Sequence, residues 1–410
     1  MLKSIFILFL CFSAYACGNK TTPTLNATTS ITKSINTEET PIICGACHTE
    51  NYFNILVGQN VAIVANQSSL CKQTHLLDTL IGSNINVVKV FCPEHGFRGD
   101  ADAGAIISND IDSKTGIPIV SLYGSNKKPL PEQLQNIDII LFDLQDVGAR
   151  FYTYISSLHY VMEACAEQGI KLIVLDRPNP NGYYVDGPIL DTAYRSFIGM
   201  HPVPIVHGMS IGEYAKMING EGWLKDSVKC NLEIVLCSGW NHSMPYNLPV
   251  RPSPNLPNYR SIQLYPSLCL LEGTAISIGR GTNKQFQIIG HPEYHNWDSA
   301  TYIFRPMPNF GSQNPKLNGQ TCYGFDLSES STFFKCDTTQ LNIDFLIYCY
   351  NHYPYKEKFF TSSFELLSGG AELKTQIING VSEDEIRNSW ETQLTEFKNT
   401  RNKYLLYSLK

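Results

Sequence analysis

Charge is scarce in this 410-residue chain. Asp, Glu, Lys and Arg make up 17 %, against roughly 25 % in an ordinary soluble protein. The net charge is −6 and no Lys/Arg cluster occurs, which argues against nucleic acid or an anionic membrane surface as a partner. No apolar run reaches the ~18 to 20 residues that a spanning helix needs. There is no G-x-G-x-x-G after a strand-like run and no Walker A motif, so a dinucleotide cofactor is disfavoured. No second cysteine pair at zinc spacing accompanies Cys44 and Cys47, and neither a metal nor any other cofactor is expected. Internal repeats are absent. Bulk, by contrast, is plentiful: 43 % hydrophobic residues, with 22 Tyr and 20 Phe, supply a sizeable core. The length predicts about two domains.

The N-terminus reads as a secretory signal. Lys3 supplies a positive charge, Ile5 to Phe12 an apolar run, and small residues lead to Ala16-Cys17, the order of a cleavable leader. A cysteine just after the cut resembles a bacterial lipoprotein signal, which makes 1–16 the leader and Cys17 the lipidated residue. Residues 17–41 then form a tether, since Gly18 to Pro41 holds eight Thr, two Ser and no aromatic, too little apolar surface to offset chain entropy. Gly18-Asn19-Lys20 lacks an acidic run, so the expected location is the periplasmic face of the outer membrane.

Residues 42–245 alternate between strand-like and helix-like runs. Val61 to Asn66, Val87 to Phe91, Pro118 to Tyr123, Ile137 to Asp143 and Lys171 to Asp176 are apolar and rich in β-branched residues. Helical spacing occupies Thr74 to Gly82 and Thr153 to Gln168. Such alternation without tight hairpins predicts an α/β fold, a Rossmann-like parallel sheet. Polar residues gather at the carboxyl ends of these runs: Asn66-Gln67, Glu94-His95, Asp143, Asp146 and Asp176-Arg177. Open α/β sheets bind ligands along that edge. Residues 246–410 form a second, mixed α+β domain. Pro249, Pro252, Pro254 and Pro257 break regular structure, and turns are expected to about Gly324. Ser382 and Glu385 make a capping box, with Ile386, Trp390, Leu394 and Phe397 following at helical spacing.

Eleven of thirteen cysteines remain after Cys11 and Cys17 are set aside. Cys165, Cys230, Cys237, Cys269 and Cys349 lie in apolar runs and read as buried thiols, not a disulfide framework. Cys44-x-x-Cys47-His48 spells the haem c attachment pattern. It abuts the tether and leads straight into Tyr52 to Leu56, which leaves no pocket, so a local disulfide or two free thiols is expected.

Three stretches are specific: Phe91-Cys92-Pro93-Glu94-His95-Gly96-Phe97-Arg98-Gly99; Asp143 to Tyr154, reading DLQDVGARFYTY; and Leu271-Glu272-Gly273-Thr274 with Gly279-Arg280-Gly281-Thr282. With Leu175 to Pro180, His207-Gly208-Met209 and Pro252 to Pro257, they resemble the NamZ-type exo-β-N-acetylmuramidases from about Gly45 to Tyr407. Cys92 stands where Ser, Thr or Ala is usual, and Gln285 and His291 replace a Pro and a small residue. The resemblance implies a Rossmann-like domain plus an auxiliary C-terminal domain, with the active site between them. It also implies a peptidoglycan or muropeptide substrate, from whose non-reducing ends N-acetylmuramic acid is removed.

Glycoside hydrolysis needs an acid for the leaving oxygen and a second carboxylate opposite it. Glu94, on a Gly-rich loop, is the expected acid, although it could instead cap a helix or pair with Arg98. Asp143, Asp146 and Glu272 compete for the second role. Arg150, which could equally form an i,i+4 ion pair with Asp146, is the expected clamp on the lactyl carboxylate. His95, Arg98, Tyr152, Arg177, His207, Asn255 and Arg280 complete the expected substrate contacts, with His207 equally readable as a core residue and Glu272–Arg280 as a structural salt bridge. A non-catalytic muropeptide-binding lipoprotein on the same fold is the alternative reading.

Overall fold

The computed structural model describes residues 41–94, 96–98, 110–329 and 338–410. The leader, Cys17, all of the tether but Pro41, and His95 lie outside the described residues. Continuous apolar runs become strands β1 (Val61–Ala65), β2 (Val87–Cys92), β3 (Asp110–Ile111), β4 (Pro118–Ser121), β5 (Ile139–Asp143), β6 (Lys171–Leu175) and β7 (Leu232–Val235). They form one sheet in the order β3-β4-β2-β1-β5-β6-β7. Every pairing is parallel except that of the edge strand β3. β1 and β5 are buried at every position, as parallel strands covered on both faces must be.

The period of two sorts side chains between two cores. Val61, Ile63 and Ala65 join Leu76, Leu77 and Leu80 of helix α1 (Leu76–Gly82) on one face. Ala62 and Val64 join α2 (Tyr154–Gln168) and α3 (Ile211–Gly220) on the other. That second core does not stop at the sheet. It runs on through Leu264, Phe286, Phe325 and Trp390, so both halves of the chain share one apolar interior.

The second half is more regular than its prolines predict. Helix α4 (Tyr259–Leu268) starts at a capping box of Asn258 and Ser261 and contains Pro266. Proline cannot donate to the carbonyl four residues back. Here the Ile262 carbonyl accepts from Asn181 Nδ2 at 3.1 Å instead, so the helix survives. Strands β8 (Ile288–His291), β9 (Tyr302–Phe304) and β10 (Cys322–Asp326) form an antiparallel sheet with β10 central. The final helix, α5 (Glu383–Arg401), begins at the Ser382/Glu385 capping box and buries Ile386, Trp390, Leu394 and Phe397.

The residues after α5 return to the first sheet. Tyr407 Oη donates to Asp176 Oδ2 at 2.7 Å, and the Leu406 N–H donates to Glu213 at 2.8 Å. Burial pushes the Asp176 carboxyl up to about 6, against donors from Ser210, Tyr407 and Gly212.

The cysteines bring one correction. Cys165, Cys230, Cys237, Cys269 and Cys349 are buried free thiols. Cys47, however, bonds to Cys71, 24 residues away, and Cys44 keeps its thiol. The short hairpin of Leu70–Cys71 and Thr74–His75 carries Cys71 to the lead-in segment, a pairing no local spacing could reveal.

Candidate active site

A cleft of about 350 Å³ opens where the carboxyl edge of the sheet meets the second half of the chain. Glu94, just beyond β2, lines it with Tyr152 and Tyr154 from the first half of the chain and with Asn255, Glu272 and Arg280 from further along. Phe151, Tyr265 and Phe286 give it an aromatic lining. Tyr265 packs edge-on against Phe151 at 5.4 Å and tilted against Phe286 at 4.9 Å between ring centres. Of the expected site residues described here, Glu94, Tyr152, Asn255, Glu272 and Arg280 are thus brought together.

Each is held from below. Tyr152 Oη donates to the Pro252 carbonyl at 2.8 Å, tying the two halves of the cleft. Tyr154 accepts from Asn66 Nδ2 at 2.6 Å, which uses the polar residue at the end of β1. Tyr123 hydrogen-bonds the Glu94 carboxylate; burial first, and then Glu94, push its phenol up. Glu272 lies on a 3-10 turn that follows α4. Gly273 is required there, because a Cβ would fall 2.6 Å from the Phe364 backbone.

Glu272 and Arg280 form a bidentate pair, Nε to Oε1 at 2.9 Å and Nη2 to Oε2 at 2.8 Å. Both remain more than a quarter exposed. Burial opposes the Glu272 charge, but Arg280 and Lys316 outweigh it and hold the carboxyl below its usual range. Lys316 Nζ donates to the carbonyls of Leu271, Glu272, Thr274 and Ile276 and so builds the turn. Nothing in the sequence marked Lys316 or Tyr123. Tyr154 sat inside a quoted motif, and Tyr265 was hidden in a segment read as turns.

The other expected residues are elsewhere. Asp143 is wholly buried in a bidentate pair with Arg177, at 2.6 and 2.9 Å. The pair straps the ends of β5 and β6 together and does not line the cleft. Arg98 is engaged by Asp112 at 2.7 and 2.9 Å and by Asp78 at 3.3 Å. Arg150 is fully buried, and its guanidinium donates to the carbonyls of Pro188, Val203, Leu367 and Ser368 at 2.7 to 3.0 Å. Among the described residues it makes no ion pair with Asp146, and it does not line the cleft. His207 is buried and held neutral, its pKa pushed down to about 3 by burial and by Arg401. It packs behind the cleft, 3.8 Å from Asp146.

Asp146 also lies behind the cleft. Its Oδ2 accepts from the Gly148 N–H at 2.7 Å and shapes the loop that carries Tyr152 and Tyr154. Gly148 has φ +78°, and a Cβ would strike Asn179 at 2.3 Å. Burial raises the Asp146 carboxyl to about 7, against the N–H groups of Gly148 and Val147. The folded protein therefore keeps a proton that an unfolded Asp, with pKa about 3.9, has released. Its stability contribution falls as pH rises from about 4 through about 7. Asp146→Asn should flatten that slope and raise the melting temperature at about pH 8. Superimposable pH–melting curves for variant and wild type would contradict this.

A carboxyl and an arginine-paired carboxylate on one aromatic-lined cleft are suited to opening a glycosidic bond. Models of the exo-β-N-acetylmuramidase NamZ N-terminal and C-terminal domains match residues 61–260 and 263–407. The chain belongs to the NamZ exo-β-N-acetylmuramidase family. It is 39 % identical over 373 residues to the peptidoglycan β-N-acetylmuramidase NamZ of Bacillus subtilis strain 168, covering 87 % of this chain and 89 % of that protein. Two crystal structures of DUF1343 family proteins from Bacteroides fragilis NCTC 9343 share the fold. One is 45 % identical with a TM-score of 0.83, the other 28 % with 0.77; each match covers 90 % of this chain and 99 % of the other.

Proposed function

We propose that this protein is a glycoside hydrolase that releases N-acetylmuramic acid from the non-reducing ends of peptidoglycan fragments. The observation that carries the reading is the meeting of Glu94 and the Glu272–Arg280 pair on one cleft, in a chain that matches both halves of the family. The cleft volume, about 350 Å³, is at the small end for ligand sites, which run from about 300 to 1,000 Å³. That favours a single terminal sugar over a threaded strand.

Glu94 protonates the leaving oxygen. Glu272, kept ionised by Arg280 and Lys316, is the second carboxylate and faces the positive charge that develops on the sugar ring. Arg280 takes the role first expected of Arg150. Its Nε and Nη2 hold Glu272, and Nη1 makes no bond to a described residue, which leaves it for the lactyl carboxylate. The guanidinium also stacks 5.1 Å from the Phe286 ring centre, fixing its plane.

The test is hydrolysis of a chromogenic N-acetylmuraminide beside the matching N-acetylglucosaminide. Release from the muraminide alone is expected. Equal rates on both would remove the muramic preference, and binding without turnover would favour the non-catalytic alternative.

We further propose that Cys17 carries the lipid and that the protein faces the periplasm from the outer membrane. The charged start, short apolar run and Ala16-Cys17 junction support this. Two acyl signals give stable anchoring where one does not. Cys17→Ala should move the protein to the soluble fraction; absence of incorporated palmitate in the wild type would refute the anchor.

A further inference from the structure

Asn255 lines the cleft yet is only 1 % exposed. One bond orients its amide: Nδ2 donates to the Gly311 carbonyl at 2.6 Å. With the nitrogen engaged, Oδ1 can only accept, and no donor among the described residues reaches it. Leaving a buried acceptor without a donor is costly, and a ligand N–H or O–H can recover that cost.

The acceptor is held rigidly. The Asn309 side chain pins the opposing loop, accepting from the N–H groups of Gly311 and Ser312 and donating to the Thr282 carbonyl, at 3.0 to 3.1 Å. Gly311 packs so tightly that a Cβ on it would sit 2.9 Å from Oδ1. The same cleft has an apolar wall of Leu256, Tyr265 and Phe286. A fixed acceptor and an apolar wall in one cleft are complementary to a secondary amide that ends in a methyl. A carboxylate would be repelled by Oδ1. A hydroxyl would satisfy the acceptor and leave the wall unfilled.

We propose that Asn255 reads the 2-acetamido group of the sugar, accepting its N–H at Oδ1 while Leu256, Tyr265 and Phe286 enclose the methyl. This rests on the reading of the cleft as a muramic acid site and specifies how that site recognises the amide. Asn255 is then a specificity-determining residue, acting independently of the Arg280 contact to the lactyl group. A site built around a substrate N–H discriminates strongly against analogues that lack it.

The test compares two chromogenic substrates, an N-acetylmuraminide and its 2-hydroxy counterpart with the lactyl group retained. In Asn255→Ala, kcat/KM on the acetamido substrate should fall about 10- to 100-fold, the loss expected for one buried hydrogen bond. On the 2-hydroxy substrate it should change less than about threefold. Gly311→Ala crowds Oδ1 without removing it and should shift the preference the same way; it decides the matter if Asn255→Ala does not fold. Equal losses on both substrates, or no loss on either, overturn the proposal. If the wild type hydrolyses neither glycoside, the hydrolase reading fails. Calorimetric binding of N-acetylmuramic acid against its 2-hydroxy counterpart then decides: a preference abolished in the variants supports the role of Asn255, and no preference overturns it.

Discussion

Glu94→Gln should lower turnover of a natural muramyl disaccharide by about 10²- to 10⁴-fold, the range for loss of general acid–base help. Glutamine keeps the size and hydrogen-bonding capacity of the side chain but cannot donate a proton to the leaving oxygen. Glu94 is only partly buried and stands at the mouth of β2, so folding should be unaffected. The loss should depend on the leaving group. A nitrophenolate departs with little protonation, so its glycoside should suffer much less than the disaccharide. A merely structural Glu94 would slow both substrates alike. Wild-type rates on the disaccharide would place the acid elsewhere, with Glu272 the next suspect.

Arg150→Ala should unfold the protein at a much lower temperature, with substrate preference unchanged in whatever fraction remains folded. Four carbonyls from three separate segments converge on this guanidinium. Removing it strands buried acceptors, each costing roughly 1–3 kcal/mol where water cannot enter. A net loss of about 3–5 kcal/mol is expected. Arg150→Lys should recover only part of it, since an ammonium cannot reproduce the planar fork. Thermal unfolding followed by circular dichroism measures the loss. A variant that melts like wild type but no longer prefers muramic acid would restore the clamp first expected from the sequence.

The contrast between Glu94 and Arg150 marks what a sequence discloses. The strands were legible because parallel strands buried on both faces must be continuously apolar, as Val61–Ala65 and Ile139–Asp143 are. The carboxyl edge was legible because polar residues cluster where those runs end. What failed was the assignment of partners. Asp143 and Arg177 come from neighbouring strand ends and neutralise each other. Arg150 is engaged by carbonyls at 188, 203, 367 and 368, which carry no side-chain signature. Pro266 suggested a break, and only the distant Asn181 makes the helix tolerable. Cys47 pairs across 24 residues, not with its near neighbour. Each miss concerns a contact between residues far apart in the chain, and neither propensity nor spacing encodes such contacts.

The bond from Tyr407 to Asp176 bears on how the molecule is made. Asp176 directly follows β6, one strand in from the edge of the first sheet, and its partner is Tyr407, 231 residues further along the chain. Synthesis is vectorial, so the first half emerges long before the group that completes it. The Asp176 carboxyl therefore gains this donor only after the segment that follows α5 has been made. Contacts this distant in sequence slow folding because loop closure precedes its reward.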